Sequence, residues 1–182
     1  MALLENDRIR IQPLARDDIP QLLSFFSDMD SMKLYLPELW RTYNLEQLYG
    51  LLADWHDEAN NFVYAVRRKD VTQELIGITN LSGIDWTSGT SEVGLAVVNP
   101  DLHQQGFGTE MLTLMLDYAF RQLGLRRIHA QIMAPNISSQ KLFEKLGFQK
   151  EGILRAHVLR NNEYLDMLMY GLLRDEWPVL EY

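Results

Sequence analysis

Residues 103–110, "HQQGFGTE", set Gly106 and Gly108 one residue apart, between a Val-rich run and an apolar-periodic run. Glycine lacks a Cβ, so such positions accept positive φ and let another molecule approach the main chain. A helix that begins here leaves its first N–H groups unpaired and facing the loop. N–H donors and the helix dipole together make a nest for an anion, a phosphate above all. Thr109 adds a hydroxyl. The two common nucleotide loops fit poorly. A mononucleotide loop needs Gly-Lys-Ser/Thr, whereas Gly108 is followed by Thr109 and Glu110. A dinucleotide loop needs a third glycine, where Met111 stands, and an acidic residue about 20 positions on, where the chain reads "RIHAQ". On the residues alone, a glycine-rich helix start with no ligand stands beside the anion-nest reading.

Composition removes whole classes of chemistry. The chain has no cysteine, which excludes disulfides, thiolate metal sites and a cysteine nucleophile. Its four histidines form no cluster with Asp or Glu at metal-ligand spacing, so no metal is expected. A net charge of −8 argues against a nucleic-acid partner. No apolar run approaches the roughly 20 residues that span a membrane. "MALLENDRIR" turns charged at Glu5 and lacks the apolar stretch of a signal peptide. The expectation is a cytoplasmic protein whose 182 residues form a single domain, 1–182.

The elements that must position the loop follow from periodicity. Ile9 and Ile11 alternate in a first strand. A helix follows, with Asp17 and Asp18 at its start and Pro20 in its first turn. "DMDSMKLYLPELW" reads as a loop with short helical pieces. Asn44 and Gln47 have capping-box spacing ahead of Leu45, Leu48, Leu52 and Trp55. "NFVYAVRR", "ELIGITNLSGI" and "SEVGLAVV" are strands, and the glycine loop opens a helix with Leu112, Met115, Leu116, Ala119 and Leu123 on one face, stopped at Gly124. A strand "RRIHAQIM", a short helix "SSQKLFEKL" and two strands joined at "RNN" complete the chain. The leading strands should be antiparallel, and the strand–helix–strand unit of residues 91–133 parallel and right-handed. The expected fold is mixed α/β: a largely antiparallel sheet with one parallel crossover.

"VVNPDLHQQGFGTEMLTLMLDYAF" resembles the acetyl-CoA motif of the GCN5-related N-acetyltransferase (GNAT) superfamily. "NISSQKLFEKLGFQKEG" resembles its second signature, and "RNNEYLDMLMYGLL" the closing hairpin of its ribosomal-protein N-terminal and spermidine acetyltransferase branch. The resemblance runs in order along nearly the whole chain. It implies a GNAT-like sheet with splayed central strands and acetyl-CoA as cosubstrate. Ala96, Val97 and Val98 would pair with the pantetheine arm; His103, Gln104, Gln105, Gly106, Phe107, Gly108 and Thr109 would cradle the pyrophosphate. Asn136 and Phe143 would meet the arm from the other side. His103 departs from the family's Arg or Gln, and Gln105 stands where a basic residue is common. It also implies a homodimer, on which the residues are silent.

Moving an acetyl group from a thioester to a primary amine needs a base for the amine and a donor for the leaving thiolate. Many members protonate the thiolate with a Tyr seven residues after the signature Asn; here that residue is Phe143. The branch implies Ser139 as the acid instead, with a helix-start serine as the other reading. Base candidates are Glu92, on the strand before the cofactor segment, and His157, on a late strand; His129 is expected to pack and His56 to lie on a helix surface. With no cysteine, the amine attacks directly in a ternary complex. The acceptor, a peptide or protein N-terminus or a polyamine, is expected at "SDMDSMKLYLPELW" and "RAHVLRNNEY", where Asp28, Asp30 and Glu38 stand among Met29, Met32, Tyr35, Leu36 and Trp40. Aminoglycosides suit the same charge. The alternative to an enzyme is a non-catalytic acyl-CoA-binding sensor or interaction module.

Overall fold

The computed structural model describes residues 4–35, 41–57 and 59–178. Alternation of Ile9 and Ile11 buries one side of strand β2 (Ile9–Pro13), which follows a two-residue strand β1 (Leu4–Glu5). Helix α1 (Ile19–Ser27) carries Pro20 in its first turn, where a missing N–H costs nothing. The buried Asp18 carboxylate pairs with Arg67 and accepts from the Ala15 N–H, tying the helix start to the sheet. A one-turn helix α2 (Met29–Met32) follows; Leu36, Glu38 and Trp40 lie outside the described residues. Helix α3 (Leu45–Asp54) opens on the expected capping box, with Asn44 Oδ1 accepting from the Gln47 N–H at 2.9 Å and Gln47 Oε1 from the Asn44 N–H at 3.1 Å.

Strands β3 (Phe62–Arg68), β4 (Leu75–Asp85) and β5 (Thr90–Val97) form an antiparallel meander beside β2. Helix α4 (Phe107–Asp117) then crosses to β6 (Arg127–Met133), which pairs parallel with β5. The α-helical pattern stops at Asp117, earlier than the apolar periodicity indicates, and one π turn (Tyr118–Gln122) carries the chain to Gly124, at φ +72°. Helix α5 (Ile137–Lys145) precedes the hairpin β7 (Gln149–Arg160) and β8 (Glu163–Leu173). Asn161 and Asn162 both take positive φ at its turn, as the tight connection demands. Among the described residues the strands form one sheet in the order β1-β2-β3-β4-β5-β6-β8-β7.

Among the described residues two large apolar cores cover the two faces of the sheet, with a small third cluster at Met133, Val158 and Met167. Helix α4 buries Phe107, Met111, Leu112, Leu114, Met115 and Leu116, at about 1.5–3 kcal/mol for each large apolar side chain, so its start is held firmly. On the other face α1 and α3 pack Leu22, Phe26, Leu48 and Leu52 against Ala65, Ile78 and Ala96. Among the described residues no helix is long and apolar enough to cross a membrane.

Candidate active site

The parallel pairing of β5 with β6 covers only Thr90–Arg127, Ser91–Ile128 and Glu92–His129. Beyond Glu92 each strand stays with its outer neighbour: β5 with β4 as far as Val97, and β6 with β8 as far as Met133. Their inner edges part and leave a V. Backbone N–H and C=O groups on those edges need partners, which an extended ligand can supply as an inserted strand.

The groups of β5 that face the V are identifiable. The Val98 N–H donates to the Ile76 carbonyl at 2.9 Å, toward β4. Backbone direction alternates along an antiparallel strand, so Ala96 also faces β4, while Leu95 and Val97 face the V. The expected pairing of Ala96 and Val98 with the arm therefore meets a backbone turned toward β4 at Ala96 and an N–H already taken at Val98, and Leu95 is added to the groups that face the V. The Val97 carbonyl is met at 2.9 Å by His103 Nε2, which therefore carries its proton.

Below the V lies the glycine loop. Gln104 has φ +61° and Gly106 φ +89°, and Gly106 is the residue before α4. The His103 N–H, expected in the cradle, is taken by the Pro100 carbonyl at 3.0 Å; among the described residues the N–H groups of Gln104 through Thr109 donate to no protein acceptor, and the next, that of Glu110, closes on the Gly106 carbonyl at 3.1 Å. The two glycines are there for different reasons. Gly106 needs its left-handed backbone. Gly108 does not; a Cβ there would meet Leu142 at 3.4 Å and Leu95 at 3.7 Å, ordinary contact distances. Phe107 turns its ring into the core.

A cavity of about 760 Å³ runs from Pro100 and His103, at the edge of this loop, through the V to the α1–α3 face. His103, Leu95, Asn136, Ser139 and Phe143 line its loop end, while Asp28, Asp30, Asp54, Asn61, Asn80, Ser82, Glu92 and Gln131 line the other. Asn136 Oδ1 caps α5 by accepting from the Ser139 N–H at 3.2 Å and the Ser138 hydroxyl at 2.9 Å, and its Nδ2 donates to the Leu34 carbonyl at 3.4 Å. The capping amide thus serves Ser139 and leaves its hydroxyl on the cavity wall with no hydrogen bond among the described residues. Phe143 is 4% exposed and packs edge-on against Phe148 at 4.8 Å, so an apolar ring closes this part of the wall.

Glu92 sits at the apex of the V, where pairing ends. Its Oε2 accepts from Gln131 Nε2 at 3.3 Å and lies 3.9 Å from His129 Nε2. Burial, and then the Arg127 charge, push the His129 imidazole below its ordinary value. His129 therefore belongs to a polar cluster rather than to packing alone. His157 is not brought to the site. It lies exposed where the β7–β8 register shifts, and the 155–164 hairpin contributes no residue to the cavity wall; Arg160 donates instead to the Lys33 carbonyl at 3.3 Å. His56, just past α3, accepts from the Val63 N–H at 3.4 Å. Of the expected acceptor residues, Asp28, Asp30 and Tyr35 line the cavity and Met32 is fully buried.

Asn61, Asn80, Ser82 and Gln131 escape notice in the sequence. Asn80 and Ser82 pair with Gly94 and Glu92, so all four share one face of the sheet. Their alternation with apolar residues was visible, but it reads equally as a solvent face. Asn61 is positioned by Asp57, whose carboxylate accepts from the N–H groups of Ala59, Asn60 and Asn61 and from the Asn61 amide; these bonds hold its pKa at about 2.

A sheet opened after three paired residues, with a helix start of unpaired N–H groups beside the opening, is the mixed α/β arrangement that the resemblance to acetyltransferases implies. Residues 8–149 match the acetyltransferase (GNAT) domain family, and the chain belongs to it. It is an N-acetyltransferase by family. It is similar to the uncharacterized N-acetyltransferase YoaA of Bacillus subtilis, with 28% identity over 94% of this chain and 97% of the relative. Similarity to a spermidine N(1)-acetyltransferase of Vibrio cholerae is 25% identity over 94% of this chain and 96% of that protein. Among solved structures, a Vibrio cholerae spermidine N-acetyltransferase in complex with CoA and spermine superposes with a TM-score of 0.84 at 23% identity, covering 94% of this chain and 98% of that one. A GNAT-family acetyltransferase from Bacillus anthracis gives 0.82 at 26% identity, covering 96% and 100%.

Proposed function

We propose that the protein moves an acetyl group from acetyl-CoA to a primary amine of a polycationic small molecule, a polyamine in class, by direct attack in a ternary complex. The observation that carries this reading is the charge of the cavity: Asp28, Asp30, Asp54 and Glu92 line it, and among the described residues no Lys or Arg does. A singly charged peptide N-terminus has use for one carboxylate; a polyamine has use for several. The spermine-bound neighbour and the spermidine acetyltransferase relative support the same class.

Acetyl-CoA fits the other end. The cosubstrate supplies the activated acetyl group as a thioester. The N–H groups from Gln104 to Thr109 would hold its pyrophosphate, and the polar groups of Leu95 with the Val97 N–H its pantetheine amides. Asn136 would act through the α5 cap rather than by direct contact. An acidic cavity stabilises an ammonium ion and so opposes its deprotonation, which makes a base at the apex necessary. Glu92 takes that proton, directly or through water, and Ser139 donates to the departing sulfur. The whole chain, 1–182, acts as one acetyltransferase domain in the cytoplasm. Exposed Ile153, Leu154, Leu159 and Tyr164 on the terminal hairpin support a homodimer.

Release of the CoA thiol from acetyl-CoA, followed against spermidine, peptides with free N-termini, amino acids and aminoglycosides, tests the reading, with products identified by mass. Turnover with polyamines is expected, with Asp28→Asn and Asp54→Asn raising their KM about fivefold to tenfold each. Preference for a monocationic peptide would overturn the acceptor class. No turnover with any amine while CoA still binds would favour the sensor reading.

A further inference from the structure

Glu110 poses an electrostatic problem. It lies in the first turn of α4, beside N–H groups that the proposed function gives to a pyrophosphate. A carboxylate there favours the helix dipole but repels a second anion. Arg8, far away in sequence, answers it. Its Nη1 pairs with Glu110 Oε1 at 2.5 Å, while Asn6 Nδ2 donates to the other carboxylate oxygen at 3.0 Å. Both terminal nitrogens of Arg8 also donate to the Gln105 carbonyl at 3.3 Å, and the guanidinium lies 4.3 Å from the centre of the Phe107 ring.

The backbone of Arg8 is anchored on both sides. Its N–H donates to Asn6 Oδ1 at 2.8 Å, and its carbonyl accepts from the Lys69 N–H at 2.8 Å. An exposed ion pair alone contributes little. Here one planar fork makes an ion pair, two bonds to a single carbonyl and a ring contact, which a lysine does not reproduce. The consequence for the loop is geometric. In a trans peptide the carbonyl and the following N–H point in opposite directions. Pinning the Gln105 carbonyl toward Arg8 therefore aims the Gly106 N–H away from it, into the loop's concave side.

We infer that Arg8 is a positioning residue for the donor site: it holds the 104–109 loop in its anion-binding shape and neutralises Glu110 so that a pyrophosphate can approach. This rests on the reading that CoA occupies the loop. The test is the Kd for CoA by isothermal titration calorimetry, with thermal unfolding alongside. Arg8→Ala weakens CoA binding about tenfold, which corresponds to ~1.4 kcal/mol. Arg8→Lys recovers only part of the loss. Glu110→Gln in the otherwise unchanged protein tightens CoA binding about twofold, because Arg8 keeps its charge and loses its partner; a misfolded variant cannot produce that sign. Glu110→Gln added to Arg8→Ala returns Kd to within about threefold of the unmodified protein. Dephospho-CoA shows the same ratios, since it keeps the pyrophosphate. Arg8→Ala binding within twofold of the unmodified protein, weaker binding by Glu110→Gln, or a loss confined to CoA and absent with dephospho-CoA would each overturn the inference. Failure of the unmodified protein to bind CoA would instead overturn the donor assignment itself.

Discussion

Replacing Gly106 and Gly108 by alanine, one at a time, should separate backbone need from ligand need in the same loop. Gly106 stands at φ +89°, where an L side chain costs about 1–2 kcal/mol. In a domain of this size each kcal/mol moves Tm by roughly 2–4 °C, so Gly106→Ala should melt about 2–8 °C lower. Gly108 has no positive φ, and an added methyl would make ordinary contacts of 3.4 Å with Leu142 and 3.7 Å with Leu95. Alanine is also the better helix former, by up to ~1 kcal/mol in a helix interior. Gly108→Ala should therefore melt no lower than the unmodified protein. The methyl would nevertheless stand beside Leu95, on the cavity wall, in the path of a cofactor held by the neighbouring N–H groups. Its Kd for CoA should rise about tenfold, ~1.4 kcal/mol. Differential scanning fluorimetry and CoA titration read the two effects independently. A Gly108→Ala protein that melts as low as Gly106→Ala would refute the backbone reasoning. One that binds CoA like the unmodified protein would refute the close approach.

Other outcomes follow from the same geometry. Ser139→Ala should lower turnover about 10²–10⁴-fold with Kd for CoA little changed, and a loss below about threefold would end the acid role. Asn136→Ala removes the α5 cap at a cost of about 0.5–2 kcal/mol; Asn136→Ser, another good cap, should restore most of the lost Tm, and its failure to do so would refute the capping account. Asp57 has a folded-state pKa of about 2 against an ordinary 3.8, so its stabilisation is fully present above pH 3.8 and is lost as pH falls toward 2. The Tm gap between the unmodified protein and Asp57→Asn should accordingly close as pH falls from about 3.8 toward 2; a gap independent of pH would contradict the carboxylate's role.

Much of the donor end was legible because it depends on local rules. A glycine pair before an apolar-periodic run, an Asn one helical turn ahead of its partner and an Asn-Asn turn all act within a few residues. Their outcomes, the left-handed Gly106, the Asn44–Gln47 capping box and the positive φ of Asn161 and Asn162, appear as expected. Even there, period alone did not say which β5 residues turn their backbones into the V. Only the register with β4 assigns Leu95 and Val97 to it and takes Ala96 and Val98 away.

By itself, then, the sequence determined the order of elements, the single parallel crossover, the glycine-bearing helix start and the absence of thiol chemistry, since each depends on residue type and short spacing. The acceptor end was decided by tertiary structure. Asn80 and Ser82 become cavity residues only because Gly94 and Glu92 lie opposite them; Gln131 and His129 reach Glu92 across a pairing of strands 37 residues apart in register, from Thr90 to Arg127. His157 carries the right side chain but lies on an edge hairpin that turns it outward. Arg8 reads as one more surface charge until the fold sets it against Gln105, Phe107 and Glu110. Contacts between distant segments depend on how strands pair and where their pairing stops, and no short-range pattern encodes that.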